Sequence, residues 1–361
     1  MFVHALFRET FLALVVGFNG IMTKAKIIAL RRGSAREDSK MNVRQICACF
    51  VMMALAGLIG SFTCVVVHGS DAKAFAPPTA HREMAAQKKA LTPAPLDMQA
   101  IQQEMTHIFG DEAKYYSVYF LRPGIDKEPF VMENGHKSPA SMIKIFVLAK
   151  GMQDVHDGKI SLDKPIKITD ANVVGGAGDL TFYDIGTTRT VGELMDLMIT
   201  KSDNTATNVL IDALGGMGAI NEYCRTHGYK DTLLQHKMML SNGGRPNISS
   251  ARDMGTLFTR IARSEAVGKE EDARMISSLL RQTDTECFPT ALPDWSIAHK
   301  TGEITGAYHD GGIFYQGNNS FVLVILGEGW PTRADAIDKM QQAATYFAGL
   351  TLGETDDGKD F

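Results

Sequence analysis

The sequence predicts an α+β fold in which helices flank an antiparallel sheet and an all-helical subdomain is inserted into the chain. Three strand-like segments follow one another closely near the end of the chain, at residues 295–302, 312–316 and 321–326. A single strand-like segment, residues 115–121, lies far upstream. Segments with a helical spacing of apolar residues occupy the long stretch in between, so this stretch is predicted to be the helical insert.

The predicted helices follow in order along the chain. An opening amphipathic helix is indicated by apolar residues at helical spacing, which are Met98, Ile101, Met105 and Ile108. Residues 142–153 have a helix pattern, and residues 191–200 and 205–214 predict two helices joined by a short turn. Ser250 begins a sequence that resembles a capping box, and residues 333–347 predict a closing helix.

Three short motifs carry most of the functional signal. They occur in the order Ser141-Met142-Ile143-Lys144, Ser202-Asp203-Asn204 and Lys300-Thr301-Gly302. At ordinary residue frequencies, all three in this order on suitable local structure is about a one-in-a-hundred coincidence or rarer. Together they supply a serine nucleophile, two lysines, a second hydroxyl and an amide. This set of groups predicts acyl transfer through a covalent serine ester.

The spacing of the first motif indicates how the serine is activated. Lys144 lies three residues after Ser141, one helical turn away and on the same face, so its amine is within reach of the hydroxyl. A lysine is a useful base only when it is neutral, which requires a depressed pKa. Desolvation and a second cation, here Lys300, both lower a lysine pKa. We expect Ser202 to bridge Lys144 and Lys300 as a proton relay, and Asp203 to support the turn.

From Leu96 to about Gly353 the chain resembles the class A β-lactamase-like branch of the penicillin-recognising serine enzymes, for which the three motifs are typical. The most similar segment is 197–208. The resemblance implies the same α+β fold and an oxyanion hole formed by the backbone N–H groups of Ser141 and Glu303. The remaining substrate contacts are expected from three residues: Asn204 to the amide of an acylamino group, Thr301 to a carboxylate, and Gly302 by allowing close approach of the substrate.

The chain departs from this family at the step that removes the acyl group. Class A enzymes deacylate with a glutamate that activates a water molecule. Ungapped alignment places Met238 at that position and Asn242 at the asparagine that helps hold the water, and no Asp or Glu occurs from 233 to 252. The arginine that anchors the substrate carboxylate is also missing. His309 lies in the stretch where it would occur, and a histidine in a predicted hairpin is expected to be structural.

These observations support a leading hypothesis and two alternatives. The leading hypothesis is an exported serine hydrolase that opens a β-lactam ring through a Ser141 acyl-enzyme. One alternative is a D,D-peptidase that acts on peptidoglycan peptides. The other is a membrane-tethered penicillin-binding sensor without turnover, because an enzyme that lacks the usual base can form the acyl-enzyme and hydrolyse it slowly. A monomer that acts on a small-molecule substrate is expected.

The N-terminal region predicts export. Residues 46–67 form an uncharged apolar run long enough to cross a bilayer, and basic residues precede it. Two interpretations of this run are open. It is either a signal anchor, in which case residues 1–45 lie in the cytoplasm or are partly an overextended start, or it is part of a cleavable signal peptide that begins at Met41. Residues 68–95 are rich in Ala, Pro, Lys and Gln and predict a linker, and 354–361 form a tail. The hydrolase domain is therefore expected at 96–353, outside a bacterial cytoplasm.

Composition excludes several other classes. A net charge of −4 gives no reason to expect nucleic-acid binding, and no cofactor or metal motif occurs in the sequence. Of the five cysteines, Cys224 and Cys287 fall in the predicted globular region. After export they are expected either to form a disulfide or to remain two buried thiols.

Overall fold

The computed structural model describes residues 95–240 and 243–353 of the chain. Its centre is a five-stranded antiparallel sheet with the strand order β2-β1-β7-β6-β5. The strands are β1 Tyr116–Leu121, β2 Phe130–Met132, β5 Ser296–Ile304, β6 Ala307–Gln316 and β7 Asn319–Glu328. Two short strands, β3 Pro165–Lys167 and β4 Thr188–Thr190, pair separately. The predicted antiparallel sheet is confirmed, with β1 inserted next to β7.

Helices cover both faces of this sheet. In chain order they are α1 Met98–Phe109, α2 Lys144–His156, α3 Val191–Thr200, α4 Asn204–Ala213, α5 Gly216–Thr226, α6 Ala251–Ala262, α7 Lys269–Leu279, α8 Phe288–Ala291 and α9 Arg333–Leu352. The helices predicted between the strands, and the opening and closing helices, are confirmed. The closing helix continues five residues beyond the predicted end at 347, up to a glycine with positive φ, Gly353.

The alternation of side chains along the strands creates two cores. On β7, Val322, Val324 and Leu326 pack against the helical subdomain, in a cluster that includes α2 to α7. The intervening residues, such as Leu323 and Ile325, face the opposite way and pack against α1 and α9. The sheet is therefore buried on both faces, and β5 is left at its edge, beside the helical subdomain.

The β5–β6 hairpin is the one place where the predicted strand bounds are clearly wrong. The sequence predicts that β6 starts at residue 312, but it starts at Ala307, directly after a two-residue turn whose Gly306 has a φ of 78°. Gly311 and Gly312 conceal the strand pattern. Packing requires a glycine at 312, because a Cβ there would lie 2.4 Å from the Ala298 carbonyl oxygen, whereas a Cβ at Gly311 would lie 2.9 Å from the end of a flexible side chain, Met142 Cε.

The cysteines are free buried thiols within the described part of the chain. Cys224 lies in α5 and belongs to the core of the helical subdomain. Cys287 precedes α8 and belongs to the core on the other face of the sheet. The disulfide alternative is therefore wrong, since the sheet separates the two residues.

The predicted membrane-spanning run at 46–67, the linker at 68–95 apart from its last residue, and the tail at 354–361 lie outside the described residues. In the ranges 95–240 and 243–353, none of the helices combines the length and apolar character needed to cross a bilayer.

Candidate active site

Ser141 lies in a short 3₁₀ helix, Ala140–Ile143, that leads directly into α2. The prediction that this serine opens a helix is therefore correct, except that the first turn is 3₁₀ rather than α. The residue before it, Ala140, has a φ of 46°, which is unfavourable for a residue with a Cβ. Strained backbone of this kind costs about 1–3 kcal/mol and occurs where a side chain must be presented in a fixed direction. Ser141 is partly exposed, whereas the residues that follow it are buried.

Lys144 is the first residue of α2 and its side chain is fully buried. Its Nζ lies 3.0 Å from Ser141 Oγ and 3.1 Å from Ser202 Oγ. Two further oxygen atoms are close to the same nitrogen: Asn204 Oδ1 at 2.8 Å and the Ser202 carbonyl oxygen at 2.5 Å. The Lys144 amine therefore contacts Ser141 of its own motif and both Ser202 and Asn204 of the second motif.

These contacts suit a neutral amine. A neutral lysine has two N–H donors and one lone pair. If the N–H groups donate to Asn204 Oδ1 and to the Ser202 carbonyl oxygen, the lone pair remains to accept the proton of Ser141 Oγ. Burial lowers the pKa of Lys144 well below its ordinary value, and the nearby charge of Lys300 lowers it further. Both causes are those expected from the sequence.

Ser202 connects the two lysines. Lys300 Nζ donates to Ser202 Oγ at 3.1 Å, the same distance as that from Lys144 Nζ. Ser202 has a φ of 53°, so it is a second strained residue in the site. Lys300 is fully buried on β5 and also donates to the Thr301 carbonyl oxygen at 2.7 Å. Burial lowers the pKa of Lys300 to about 8, while Asp284 and Asp310 oppose this shift.

Asp203 supports the turn between α3 and α4. Its buried carboxylate accepts from the backbone N–H groups of Ala206 at 2.7 Å, Asp179 at 2.7 Å and Leu180 at 2.8 Å. The first of these contacts caps α4, and the other two attach the preceding loop to the turn. This loop includes Gly178, where a Cβ would lie 2.4 Å from the Asp203 carboxylate carbon. The glycine-rich sequence therefore serves packing around the turn, a role that sequence analysis missed.

Gly302 packs closely against the turn that carries Ser141. The sequence suggests that this glycine allows a substrate to approach. In the structure, a Cβ at Gly302 would lie 2.8 Å from the Pro139 carbonyl oxygen and 2.9 Å from Met142 N. The glycine is thus required for β5 to pack against the turn that carries Ser141. Thr301 and Glu303 alternate with it along the strand, and Thr301 is nearly buried.

The side chain of Met238, the residue that the alignment matched to the family glutamate, is buried in the core of the helical subdomain. Its backbone is held by one side chain of α4, that of Asn208. Asn208 Oδ1 accepts from Met238 N at 2.8 Å, and Asn208 Nδ2 donates to the Met238 carbonyl oxygen at 3.1 Å. Asn208 was not singled out from the sequence, although it lies one helical turn after Asn204. The other predicted residue of this region, Asn242, lies outside the described residues.

His309 lies on the β5–β6 hairpin, but within strand β6 rather than in the segment that the sequence places before it. It lies inside β6, opposite Gly302, and is fully buried. Its Nε2 lies 2.7 Å from the Ser138 carbonyl oxygen, three residues before Ser141. Burial lowers the pKa of His309 to about 4, so the ring is neutral at pH 7. A neutral buried ring that contacts the protein backbone is unsuited to replace the missing arginine. The next residue of β6, Asp310, is the cross-strand partner of Thr301.

A serine beside a buried lysine, a serine-bridged second lysine on an edge strand, and an α+β fold with a helical insert together define a penicillin-recognising serine enzyme. Within the described ranges, no group of three or more His, Cys, Asp or Glu residues is arranged to hold a metal ion. The family model described as "Beta-lactamase enzyme family" matches residues 100–346, and the chain belongs to this family.

Curated relatives of the chain are named β-lactamases. A β-lactamase of Streptomyces cellulosae is 30% identical over 205 residues, which cover 55% of this chain and 63% of that protein. A β-lactamase of Streptomyces fradiae is 30% identical over 172 residues, which cover 45% of this chain and 56% of that protein. The chain thus spans between about half and two thirds of the length of these relatives.

Solved structures show the same fold over nearly their whole length. The β-lactamase of Sphaerobacter thermophilus has a TM-score of 0.65 and 23% identity, and covers 73% of this chain and 100% of its own. The structure of PBP-A has a TM-score of 0.64 and 24% identity, and covers 71% of this chain and 97% of its own. The predicted fold class is therefore confirmed.

Proposed function

We propose that this protein is an exported serine hydrolase that opens β-lactam rings through an acyl-enzyme on Ser141. The observation that carries the proposal is the contact of 3.0 Å between Lys144 Nζ and Ser141 Oγ, in a network that continues through Ser202 to Lys300. Family membership and the names of the curated relatives support a β-lactam as the substrate. The apolar run at 46–67 supports export, because such a run directs the following domain across a membrane.

Acylation follows from these positions. Lys144 Nζ accepts the proton of Ser141 Oγ, and the oxygen attacks the lactam carbonyl carbon. The carbonyl oxygen then carries negative charge and is stabilised by the backbone N–H groups of Ser141 and Glu303. The carbon–nitrogen bond of the ring breaks as the nitrogen takes a proton from Ser202 Oγ. Lys144 returns the serine proton to Ser202, so that the acyl-enzyme forms with both lysines in their starting states.

Substrate binding is assigned to the edge of β5 and to the first residue of α4. Lys300 and Thr301 would bind an anionic group of the substrate, and Asn204 would contact an acylamino side chain. Asn204 is also committed to the protein, since its Oδ1 accepts from Lys144 and its Nδ2 donates to the Gly175 carbonyl oxygen at 3.1 Å. The contact with substrate therefore has to use the remaining hydrogen-bonding capacity of the amide.

Deacylation is proposed to be slow. The position of the usual glutamate holds Met238, a side chain that cannot take a proton from water. This residue favours a second candidate function, that of a penicillin-binding protein or membrane-tethered sensor that stays acylated. A methionine at this position is also compatible with a D,D-peptidase that acts on peptidoglycan peptides, because the peptide acyl group would form the same type of ester with the serine.

Intact-mass spectrometry of the purified full chain with benzylpenicillin tests these possibilities. A covalent adduct that appears and then disappears as penicilloate accumulates would support β-lactam hydrolysis. An adduct that persists for hours would support the receptor or peptidase alternatives, and release of D-alanine from an acyl-D-alanyl-D-alanine peptide would identify the peptidase. Absence of any adduct would refute the β-lactam proposal. Ser141→Ala should abolish labelling, and undiminished labelling of this variant would exclude Ser141 as the nucleophile.

The role of position 238 is tested by restoring a carboxylate. Met238→Glu should increase the steady-state rate of nitrocefin hydrolysis, because a glutamate there would activate the deacylating water. Leu240→Glu is the matched control, since it adds the same charge two residues away on an exposed side chain. Equal rates for the two variants would contradict the proposed cause of slow deacylation.

A further inference from the structure

Arg333, the first residue of α9, connects three separate elements beside the candidate oxyanion hole. Its Nε donates to Glu303 Oε1 at 2.7 Å, and Nη2 donates to Glu303 Oε2 at 3.1 Å. Nη1 and Nη2 donate to the two carboxylate oxygens of Glu286, each at 2.7 Å. The guanidinium also lies over the ring of Tyr308, with 5.0 Å from Cζ to the ring centroid. No motif pointed to this residue.

The position of these contacts is what distinguishes them from an ordinary surface ion pair. Glu303 follows the Lys300-Thr301-Gly302 motif, and its backbone N–H is the second proposed oxyanion donor. Tyr308 is the cross-strand partner of Glu303 on β6. One guanidinium therefore contacts both members of the residue pair at the end of the hairpin that carries this donor.

The hairpin end needs such support for a physical reason. β5 is an edge strand, so among the described strands it pairs on one side alone, with β6. Glu303 is three residues from the turn at Gly306, where strand ends fray most readily. An oxyanion donor is effective only when it is held within about 0.5 Å of the productive position. Two bidentate guanidinium–carboxylate contacts have fixed geometry as well as favourable energy.

We propose that Arg333 is a positioning residue for the oxyanion hole: it fixes the Glu303 end of β5 against the loop that carries Glu286, and thereby fixes the backbone N–H of Glu303. The inference rests on the proposed function in one respect, the assignment of that N–H as an oxyanion donor. Arg333 itself contacts no reacting atom in this scheme. Without it, two carboxylates that share one cation would be left close together and would repel each other.

The test combines hydrogen exchange with acylation kinetics on the full chain. In Arg333→Gln, amide exchange in a peptide that spans 301–307 should become at least about tenfold faster, because local opening of the strand end becomes easier. The rate constant for acylation by benzylpenicillin should fall about ten- to hundredfold, which is the cost of a misplaced catalytic group. The double variant Arg333→Gln/Glu286→Gln should recover part of both losses, since it removes the repulsion.

The matched control is Arg225→Gln. Arg225 makes a bidentate contact with Glu222 on the exposed surface of α5, so its loss changes the charge equally without affecting β5. If Arg333→Gln does not fold, Arg333→Lys replaces it, since a lysine retains the charge but loses the bidentate geometry.

Each outcome decides the proposal. Faster exchange at 301–307 together with slower acylation, both absent in Arg225→Gln, would support it. Unchanged exchange, or faster exchange with unchanged acylation, would overturn it, as would equal effects in the control. If the unmodified protein is not acylated at all, the proposed function fails and the oxyanion role with it, whereas the exchange data still show whether Arg333 holds the Glu303 strand end.

Discussion

Replacement of Lys300 by methionine should abolish most of the proposed activity and yet stabilise the protein at neutral pH. The side chain of Lys300 is fully buried, and burial lowers its pKa from 10.5 to about 8. At pH 7 the buried amine is protonated, so folding has to remove an ammonium group from water. With 1.36 kcal/mol for each pH unit between the two pKa values, this costs about 3 kcal/mol.

The sign of the effect depends on pH. Because the pKa in the folded state is lower than in the unfolded state, the unfolded chain binds more protons between pH 8 and 10.5, and the stability of the unmodified protein rises over that window. Lys300→Met removes the cost, but it also removes the hydrogen bonds to Ser202 Oγ and to the Thr301 carbonyl oxygen. Each is worth about 1 kcal/mol net. We therefore expect the variant to be about 1–2 kcal/mol more stable at pH 7 and less stable than the unmodified protein at pH 10.5.

Urea unfolding measures this prediction directly. Free energies of unfolding would be obtained at pH 7 and at pH 10 for the unmodified protein, Lys300→Met and Lys230→Met, the last being the control because Lys230 is an exposed lysine. The stability difference between Lys300→Met and the unmodified protein should change by about 2–3 kcal/mol between the two pH values. A difference that stays constant, or that matches the control, would refute the claim that Lys300 is buried at an energetic cost for the sake of the site.

Four other changes have expected outcomes of their own. Ser202→Ala should slow adduct formation in the mass assay by at least about hundredfold, since it interrupts the proton path to the leaving nitrogen; an unchanged rate would exclude the relay. Gly302→Ala should also slow it, because the new Cβ would displace the turn that carries Ser141; normal labelling would contradict the packing argument. Asp203→Asn should lower the melting temperature by about 5–10 °C, through the loss of about 2–3 kcal/mol of hydrogen bonding to backbone N–H groups; calorimetry that finds no decrease would show that the carboxylate is not needed. His309→Gln should be less sensitive to acid than the unmodified protein, whose stability falls as the pH drops from 6.5 towards 4 because the buried ring resists protonation; parallel pH profiles of unfolding would count against this role.

Local patterns in the sequence predicted most of the elements near the site. Helical periodicity predicted the bounds of α3 and α4 and the turn between them. Helical spacing also predicted the contact between Ser141 and Lys144. An i, i+3 spacing at a helix start places two side chains on one face whatever surrounds them. The Glu303 role, by contrast, came from family resemblance and stays a proposal.

Local sequence patterns did not predict the strand bounds of the β5–β6 hairpin. Gly311 and Gly312 interrupt the alternating pattern that identifies a strand, and the need for a glycine at 312 comes from the backbone of Ala298 on the paired strand β5. For the same reason, the sequence placed His309 before β6 rather than within it. Its burial and its contact with the Ser138 carbonyl oxygen depend on how β6 packs under the nucleophile turn.

The sequence by itself determined the family, the order of the three motifs and the pairing of Ser141 with Lys144. Each of these depends on residue identity or on spacing within one turn of chain. The tertiary structure alone decided that Ser202 lies between two lysines, that Gly302 packs against the Pro139 turn, and that Arg333 contacts the strand end at Glu303. These contacts join residues far apart in the chain, and their geometry is set by strand register and core packing, which leave no local periodicity in the sequence.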